Sequence, residues 1–402
     1  KGLFSSSLTA SEKLLHRFKT IDRSFKKFYQ RHRQNNHQRN DFYCCYSNFS
    51  TKANLSTPSS PFRILFFGSD AFSVASLRAL INEQKTNPNV LVKSIEVVSP
   101  PDQRVGRGLK SIKISEIKSF AKEHQLIVHD APMKTLQGWR IPKPKDDEDN
   151  DASSGSFDIG IVVSFGYFLT QEILDALPNA INIHPSLLPN YRGASPIQYA
   201  IMNGDKETGI TILELHPKIF DAGRILRQIT LPIPPDSTYK RLEAYLAEKG
   251  AELLIDTLRN FYDYKVNAQP QDVKQVTKAP KITKEMSIIN WDKLIAEQVV
   301  RLDRAISHQY PLRTWFNGHQ IQLFNIHLIS DSLTGTEKAQ PGTIFYQHPQ
   351  KSIQIVCADG TSVIGCTSVK MAEKKEISVK DWINGYPITS GVTRFGDNSK
   401  KE

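Results

Sequence analysis

The stretch Ile181–Ile197, INIHPSLLPNYRGASPI, runs from an apolar strand into a polar turn. Because alternate residues of a strand face opposite sides of a sheet, Asn182 and His184 are predicted to project together while Ile181 and Ile183 enter the core. The pattern therefore predicts an amide and an imidazole that face one pocket at the end of a strand. The alternative is that His184 is a hydrogen-bonded core histidine beside a surface turn.

A later segment supplies a carboxylate. Thr208–Leu215 and Ile225–Ile233 are predicted as strands, and the loop between them carries Asp221. A carboxylate at the tip of this loop can reach the strand that carries Asn182 and His184. An amide, an imidazole and a carboxylate in one cleft suit acyl transfer. The alternative for Asp221 is an Asx turn within its loop.

Strands and helices alternate before this stretch. The predicted elements are a strand at Arg63–Phe67, a helix to about Ile81, strands at Leu91–Val98 and Phe157–Val163, and a helix at Ile114–Glu123. This alternation predicts an α/β fold with a doubly wound, mostly parallel sheet. Ligands of such sheets bind outside the carboxyl ends of the strands, where Ser164 and residues 182–189 fall. From Thr314 onward, short β-rich runs separated by turns predict a small barrel.

The charge of the chain is unevenly distributed. The 402 residues carry a net charge of +11, and residues 1–60 contain 11 Lys and Arg against three acidic residues. The other 342 residues contain 41 basic against 38 acidic side chains. RNA binding by the globular part would therefore depend on local basic patches. No apolar run approaches the roughly 20 residues that span a bilayer, so no membrane partner is predicted.

Several other protein classes are disfavoured by missing motifs. The turn after the first predicted strand lacks the GxGxxG pattern of dinucleotide-binding enzymes, and no phosphate-binding P-loop occurs. The 11 histidines and four cysteines show no metal-ligand spacing, so no metal is predicted.

Several segments, in order, are similar to those of one known family. They are the strand and turn Ile64–Phe72, the PD…GRG loop from Pro101 to Gly108, Ser164-Phe165-Gly166, the HPSLLP stretch His184–Pro189, and Asp221-Ala222-Gly223. Through them the chain resembles the folate-dependent formyltransferases over roughly residues 62 to 390. Within that family it is most similar to the branch that acts on methionyl-tRNA.

The resemblance implies a reaction and its site. The formyl group of 10-formyltetrahydrofolate would pass to the α-amine of methionyl initiator tRNA, with Asn182, His184 and Asp221 as the catalytic residues. No acyl-enzyme is expected, because the amine attacks directly. The folate-binding residues would be Ser186, Leu187, Leu188 and Pro189. The predicted tRNA-binding residues are Arg104, Arg107, Lys110 and Arg192. We expect a monomer.

Three alternatives remain open from the residues. Sugar-nucleotide formyltransferases share the same three site residues and a related C-terminal extension, and a non-catalytic RNA-binding relative would keep the fold alone. The basic loop at Arg104–Lys110 is also compatible with an ordinary solvated loop. One departure from the family is Arg224, because many relatives have an acid after the glycine of the Asp-x-Gly motif.

The sequence also predicts the domain organisation. Residues 1–60 are Ser-rich, basic and poor in acids, which is typical of a mitochondrial transit peptide and linker and indicates the mitochondrial matrix. A basic tail that binds nucleic acid is the alternative. The other predicted parts are a catalytic domain at 61–265 with an acidic low-complexity insertion at 142–156, a linker at 266–280, and an OB-like tRNA-binding domain at 281–395.

Overall fold

The computed structural model describes residues 61–88, 90–145, 155–329, 339–348 and 351–396. The predicted transit peptide and most of the predicted acidic insertion lie outside the described residues. The chain divides into two compact units. Among the described residues, the first unit is built from those up to 194 together with 207–234 and 241–279, and the second from 195–206, 235–240 and those from 280 onward.

The described residues of the first unit form nine strands. They are β1 (Phe62–Gly68), β2 (Val92–Ser99), β3 (Gln103–Val105), β4 (Ser111–Lys113), β5 (Ile127–Asp130), β6 (Ile159–Val163), β7 (Ala180–His184), β8 (Glu207–Glu214) and β9 (Ile225–Pro232). Seven of them form one sheet in the order β5-β2-β1-β6-β7-β8-β9. The pairs from β5 to β7 are parallel, whereas β7–β8 and β8–β9 are antiparallel. The predicted mostly parallel sheet is confirmed.

The helices lie between and after these strands. They are α1 (Ala71–Thr86), α2 (Glu116–Glu123), α3 (Gln171–Asp175), α4 (Pro196–Asn203), α5 (Tyr239–Arg259), α6 (Phe261–Val266), α7 (Ala296–Ile306) and α8 (Val379–Gly385). Among the described residues, no helix has both the length and the apolar character needed to cross a bilayer.

Strand β1 lies between β2 and β6, inside the sheet, and is buried in the core of the first unit. Five consecutive residues, Ile64–Gly68, are buried, as expected when both faces of a parallel strand are covered. Leu65 and Phe67 pack with Val98, Val162 and Phe165 in one hydrophobic cluster. The rings of Phe67 and Phe165 meet edge to face at 5.3 Å. The carboxyl end of β1 is therefore a rigid support for the turn that follows it.

The helix predicted at Ile114–Glu123 begins two residues later, at Glu116. Ser115 is its N-cap, and the Ser115 side chain accepts a hydrogen bond from Lys118 N. An N-cap residue has non-helical backbone angles, so Ile114 lies before the helix and is exposed rather than on its buried face. Ile117 and Ala121 lie on the buried face of this helix.

Eight strands lie in the part of the second unit that the structure describes. They are β10 (Arg313–Phe316), β11 (His319–Phe324), β12 (His327–Leu328), β13 (Ile344–Gln347), β14 (Ser352–Val356), β15 (Val363–Cys366), β16 (Ser368–Met371) and β17 (Ile377–Ser378). They form two four-stranded sheets, in the orders β10-β11-β16-β17 and β12-β15-β14-β13. Phe316, Trp382 and Phe395 are buried and form edge and stacked ring contacts. The small, strand-rich C-terminal unit was predicted correctly.

Residues of the predicted linker at 266–280 form main-chain hydrogen bonds with the first unit. Gln269 and Ile225 exchange two main-chain hydrogen bonds, and Ala279 N donates to Arg192 O. Residues up to 279 consequently belong to the first unit.

Candidate active site

Strand β7 presents two polar side chains on one face. Asn182 and His184 are separated by Ile183, which is buried, and His184 is itself only 4% exposed. Strand β7 is flanked by β6 on one side and β8 on the other, so its backbone is held by hydrogen bonds on both edges. The alternation predicted from the sequence is confirmed, and it fixes the amide and the imidazole side by side.

The Asp221 carboxylate joins these two groups. Asn182 Nδ2 donates to Asp221 Oδ1 at 3.1 Å, and His184 Nδ1 lies 3.6 Å from the same oxygen. The other carboxylate oxygen, Oδ2, accepts from Gly193 N at 2.9 Å. The structure therefore brings Asn182, His184 and Asp221 together, as the sequence predicted.

The tautomer of His184 follows from its second contact. Its Nε2 lies 3.0 Å from the carbonyl oxygen of Tyr191, which can only accept, so Nε2 carries a hydrogen. In the neutral ring Nδ1 is then an acceptor that faces Asp221. Protonation at Nδ1 would place an imidazolium beside the carboxylate. His184 is both a hydrogen-bonded buried histidine and a member of the site.

The backbone of this site is unusually constrained. Asp221 and Tyr191 have φ values of 55° and 63°, in the left-handed region that few non-glycine residues adopt. Asp tolerates this region better than most residues, because its short side chain forms local hydrogen bonds. Gly193 has φ of 124°, and a Cβ atom there would lie 2.7 Å from Ala279 O. A side chain at residue 193 would push away the N–H group that binds Asp221.

The segment predicted to bind folate is braced by protein contacts. Ser186 is fully buried, and its hydroxyl donates to Asn190 O at 2.7 Å. The four carbonyls from 186 to 189 each accept a hydrogen bond from the protein; the donors are Thr211 Oγ1, Asn190 N, Gln228 Nε2 and Thr277 N. Leu188 is also buried. The half-buried side chains of Leu187 and Pro189 are the part of this segment that a flat ring could contact.

Two arginines near the site each form hydrogen bonds with another side chain. Arg192 donates from Nε and Nη2 to Gln271 Oε1, at 3.0 and 2.7 Å. Arg224 forms a bidentate pair with Glu214, at 2.6 and 2.8 Å. Arg224, the residue that departs from the family pattern, thus joins the end of the Asp221 loop to Glu214, the last residue of β8. The structure leaves the tRNA-binding prediction for Arg192 untested.

The basic loop predicted to contact tRNA is a hairpin of β3 and β4. Arg104 and Lys110 are exposed, whereas the Arg107 side chain lies outside the described part. Asp102, at the start of the hairpin, pairs with the buried Lys118 at 2.9 Å. Lys118 also contacts Asp130 at 2.7 Å. The hairpin is therefore anchored at its base.

Asp70 is an acidic residue near the strand ends that was not among the predicted site residues. Asp70 follows β1 and caps α1, and its carboxylate accepts from Ser73 N at 3.2 Å. Burial, followed by the nearby carboxylates of Glu243 and Glu116, raises the pKa of Asp70 to about 6. Its position before a helix indicates an N-cap from sequence. The raised pKa could not be predicted, because burial, its largest cause, and the nearby Glu243 both depend on the tertiary fold.

A second residue that sequence reasoning missed is Gln271. Its side chain contacts Arg192 and the carbonyls of Asp221 and Gly223. Nothing in the polar run around it distinguishes this glutamine from its neighbours. Within the described ranges, no group of His, Cys, Asp and Glu side chains could hold a metal ion.

Comparison with known proteins identifies the family of the chain. The chain matches the family described as formyl transferase over residues 62–258, and the formyl transferase C-terminal domain over residues 281–387. The chain therefore belongs to the formyl transferase family.

Its relatives narrow the class further. The chain is 35% identical over 332 residues to a protein of Homo sapiens named methionyl-tRNA formyltransferase, mitochondrial, covering 81% of this chain and 78% of the relative. It is 32% identical over 342 residues to the methionyl-tRNA formyltransferase of Roseiflexus sp. (strain RS-1), covering 85% and 97%. The crystal structure of a sugar 3N-formyl transferase superposes with a TM-score of 0.52 at 20% identity, over 78% of this chain and 99% of that one. That likeness supports the fold alone.

Proposed function

We propose that the protein transfers the formyl group of 10-formyltetrahydrofolate to the α-amine of methionyl initiator tRNA. The observation that carries the proposal is the contact of the Asp221 carboxylate with both Asn182 and His184. Membership of the formyl transferase family supports the reaction type. The identity to proteins named methionyl-tRNA formyltransferase, over most of both chains, supports the acceptor.

In the proposed reaction, the uncharged α-amine attacks the formyl carbon. A carbon–nitrogen bond forms, the carbonyl oxygen gains negative charge, and collapse of the adduct breaks the bond from the formyl carbon to N10 of the folate. The amine loses one proton and N10 gains one. No nucleophilic side chain is needed, which agrees with the burial of the Ser186 hydroxyl.

We assign stabilisation of the developing oxyanion to the side-chain amide of Asn182. Its amide has two N–H groups, and Asp221 accepts one of them. The second N–H is the donor that would meet the formyl oxygen. Loss of one such donor typically costs about 2.7–4 kcal/mol of transition-state stabilisation.

We assign removal of the amine proton to the pair of His184 and Asp221. Because Nε2 of His184 donates to Tyr191 O, the free acceptor of the neutral ring is Nδ1. A proton taken at Nδ1 would create an imidazolium 3.6 Å from Asp221 Oδ1. The carboxylate would stabilise that charge and keep the ring oriented.

The substrates are assigned to two surfaces of the first unit. The folate would lie along residues 186–189 and contact Leu187 and Pro189 through its flat ring. The methionyl-tRNA would contact the hairpin, where Arg104 and Lys110 are exposed. The residues from 281 to 395 are proposed as a second tRNA-binding domain, with an OB-like fold.

We also propose that the protein acts in the mitochondrial matrix, as a monomer. The mammalian relatives are named as mitochondrial proteins. The basic composition of residues 1–60 is typical of a transit peptide.

The decisive experiment measures formyl transfer from 10-formyltetrahydrofolate to three acceptors in parallel. These are methionyl initiator tRNA, an amino-sugar nucleotide and water. We expect formylmethionyl-tRNA as the product. Transfer only to the sugar nucleotide, or only hydrolysis, would keep the chemistry of the site but refute the acceptor. No turnover of the folate at all would favour a non-catalytic RNA-binding protein.

A further inference from the structure

The segment from Asn267 to Ala279 lies against both loops of the active site. At one end, Gln269 and Ile225 exchange main-chain hydrogen bonds at the end of the Asp221 loop. At the other end, Thr277 N donates to Pro189 O and Thr277 O accepts from Arg192 N. This segment, which we call the 267–279 strap, is therefore attached to the loop of Asp221 and to the loop that follows His184.

Gln271 connects the two loops through one side chain. Its Nε2 donates to the carbonyl oxygens of Asp221 and Gly223, both at 2.8 Å. Its Oε1 accepts twice from the guanidinium of Arg192. An amide has two N–H groups and two acceptor positions, so Gln271 uses its full hydrogen-bonding capacity here.

The Asp221 loop needs such support because its own backbone does not favour the observed shape. Asp221 has φ of 55°, and Gly223 packs so closely that a Cβ atom there would lie 1.7 Å from Glu214 O. A conformation of this kind persists only where surrounding contacts hold it. Gln271 binds the carbonyls on both sides of Ala222, in the part of the loop that orients the carboxylate.

The other side of the bridge is equally specific. Arg192 precedes Gly193, whose N–H donates to Asp221 Oδ2. By holding Arg192, Gln271 also controls the position of this donor. The Gln271 side chain thus restrains the Asp221 carboxylate in two ways. It binds the backbone of the Asp221 loop, and it binds Arg192, which precedes the residue whose N–H binds the carboxylate.

We infer that Gln271 is a positioning residue for formyl transfer, which acts by holding Asp221 in register with Asn182 and His184. The inference rests on the proposed function for its substrates. It adds a residue from the strap, 50 positions after Asp221 in the sequence, to the residues on which the chemistry depends.

Substitution of Gln271 should lower kcat and leave the KM for both substrates near that of the wild type. Gln271→Ala removes all four hydrogen bonds, and a misplacement of about 1 Å at a reacting group can cost about 100-fold in rate. Gln271→Glu keeps an acceptor for Arg192 but cannot donate to the carbonyls of Asp221 and Gly223. We expect it to lose kcat as well, which would assign the effect to those two donated bonds.

Gln275→Ala is the matched control. Gln275 lies in the same strap and donates its side-chain amide to Asp272 Oδ2 at 2.9 Å. Its kcat and KM should stay within about twofold of the wild type, a margin far below the rate loss expected for a misplaced reacting group. A loss of kcat in Gln275→Ala equal to that in Gln271→Ala would mean that the strap acts only through its general stability.

Hydrogen exchange of the peptide spanning 216–224 provides a readout that is independent of the acceptor. We expect faster exchange in Gln271→Ala than in Gln275→Ala, without a change in the strands β1 and β6. Unchanged kcat in either Gln271 variant, or unchanged exchange of this peptide, would overturn the inference. Absence of transfer to methionyl-tRNA by the wild type would instead refute the proposed acceptor, and the exchange comparison would still decide the role of Gln271.

Discussion

At the scale of single residues, the Asp221 carboxylate contacts three other groups of the site. It accepts from Asn182 Nδ2 and Gly193 N and faces His184 Nδ1. We expect Asp221→Asn to lower kcat by about 100- to 10,000-fold, the usual range for a general acid or base. In either orientation, the amide nitrogen of the new Asn would face a donor, either Asn182 Nδ2 or Gly193 N. Single-turnover formyl transfer measures the loss, and methionyl-tRNA binding should be retained.

The control for this substitution is Asp175→Asn. Asp175 is exposed at the end of α3, where its carboxylate accepts from Gln171 Nε2. Its kcat should not change. Near-normal turnover by Asp221→Asn would refute the role assigned to the carboxylate.

A second residue-scale prediction concerns Asp70 and pH. Its folded-state pKa of about 6 lies above the ordinary value of 3.8, so the ionised carboxylate destabilises the fold. The contribution of Asp70 to the free energy of unfolding of the wild type is fully present below about pH 4. It is lost as the carboxyl group ionises and the pH rises through about 6. Asp70→Asn keeps the N-cap acceptor and removes the charge. It should stabilise the protein by about 1–2 kcal/mol at pH 7.5, after allowance for partial exposure.

Urea unfolding of Asp70→Asn and wild type at pH 4, 5.5 and 7.5 tests this prediction. The gain in the free energy of unfolding should shrink towards zero at pH 4, because Asp70 is then protonated in the folded wild type. A gain that is equal at all three pH values would exclude titration of Asp70 as its cause.

At the scale of secondary-structure elements, the hairpin of β3 and β4 concentrates positive charge. Residues 103–113 contain four Lys and Arg and no acidic residue. We expect the double substitution Arg104→Ala and Lys110→Ala to raise the KM for methionyl-tRNA and leave the KM for the folate unchanged. Each lost phosphate contact should make the slope of log affinity against log salt less negative by about 0.7–0.9.

Lys93→Ala is the control for the hairpin. Lys93 is exposed near the start of β2, whereas the hairpin follows the end of that strand. An equal loss of tRNA use in the control and the double variant would indicate a general effect of net charge. An equal rise in both KM values in the double variant would show that the hairpin also serves the folate.

At the scale of the whole molecule, charge does not by itself explain RNA recognition. Residues 281–396 contain 13 Lys and Arg against 10 Asp and Glu, so the C-terminal segment is only weakly basic. Most of the net charge of the chain lies in residues 1–60. We therefore expect tRNA recognition by the globular part to depend on where individual cations lie, and we propose those of the hairpin.

The sequence by itself determined the features that depend on local periodicity. Alternation in INIH was sufficient to predict that Asn182 and His184 share a face, because side chains of any strand alternate. The strand predicted at Arg63–Phe67 was equally readable, and β1 covers it. The family motifs then indicated the chemistry.

Only the tertiary structure decided which distant groups support the site. Arg224 pairs with Glu214, Gly193 binds Asp221, and Gln271 reaches back 50 residues to the Asp221 loop. None of these contacts leaves a periodic signal, because each depends on how separate loops fold over β7. Local patterns specify faces and elements. The orientation of the Asp221 carboxylate is set by hydrogen bonds between segments that only the folded chain brings together.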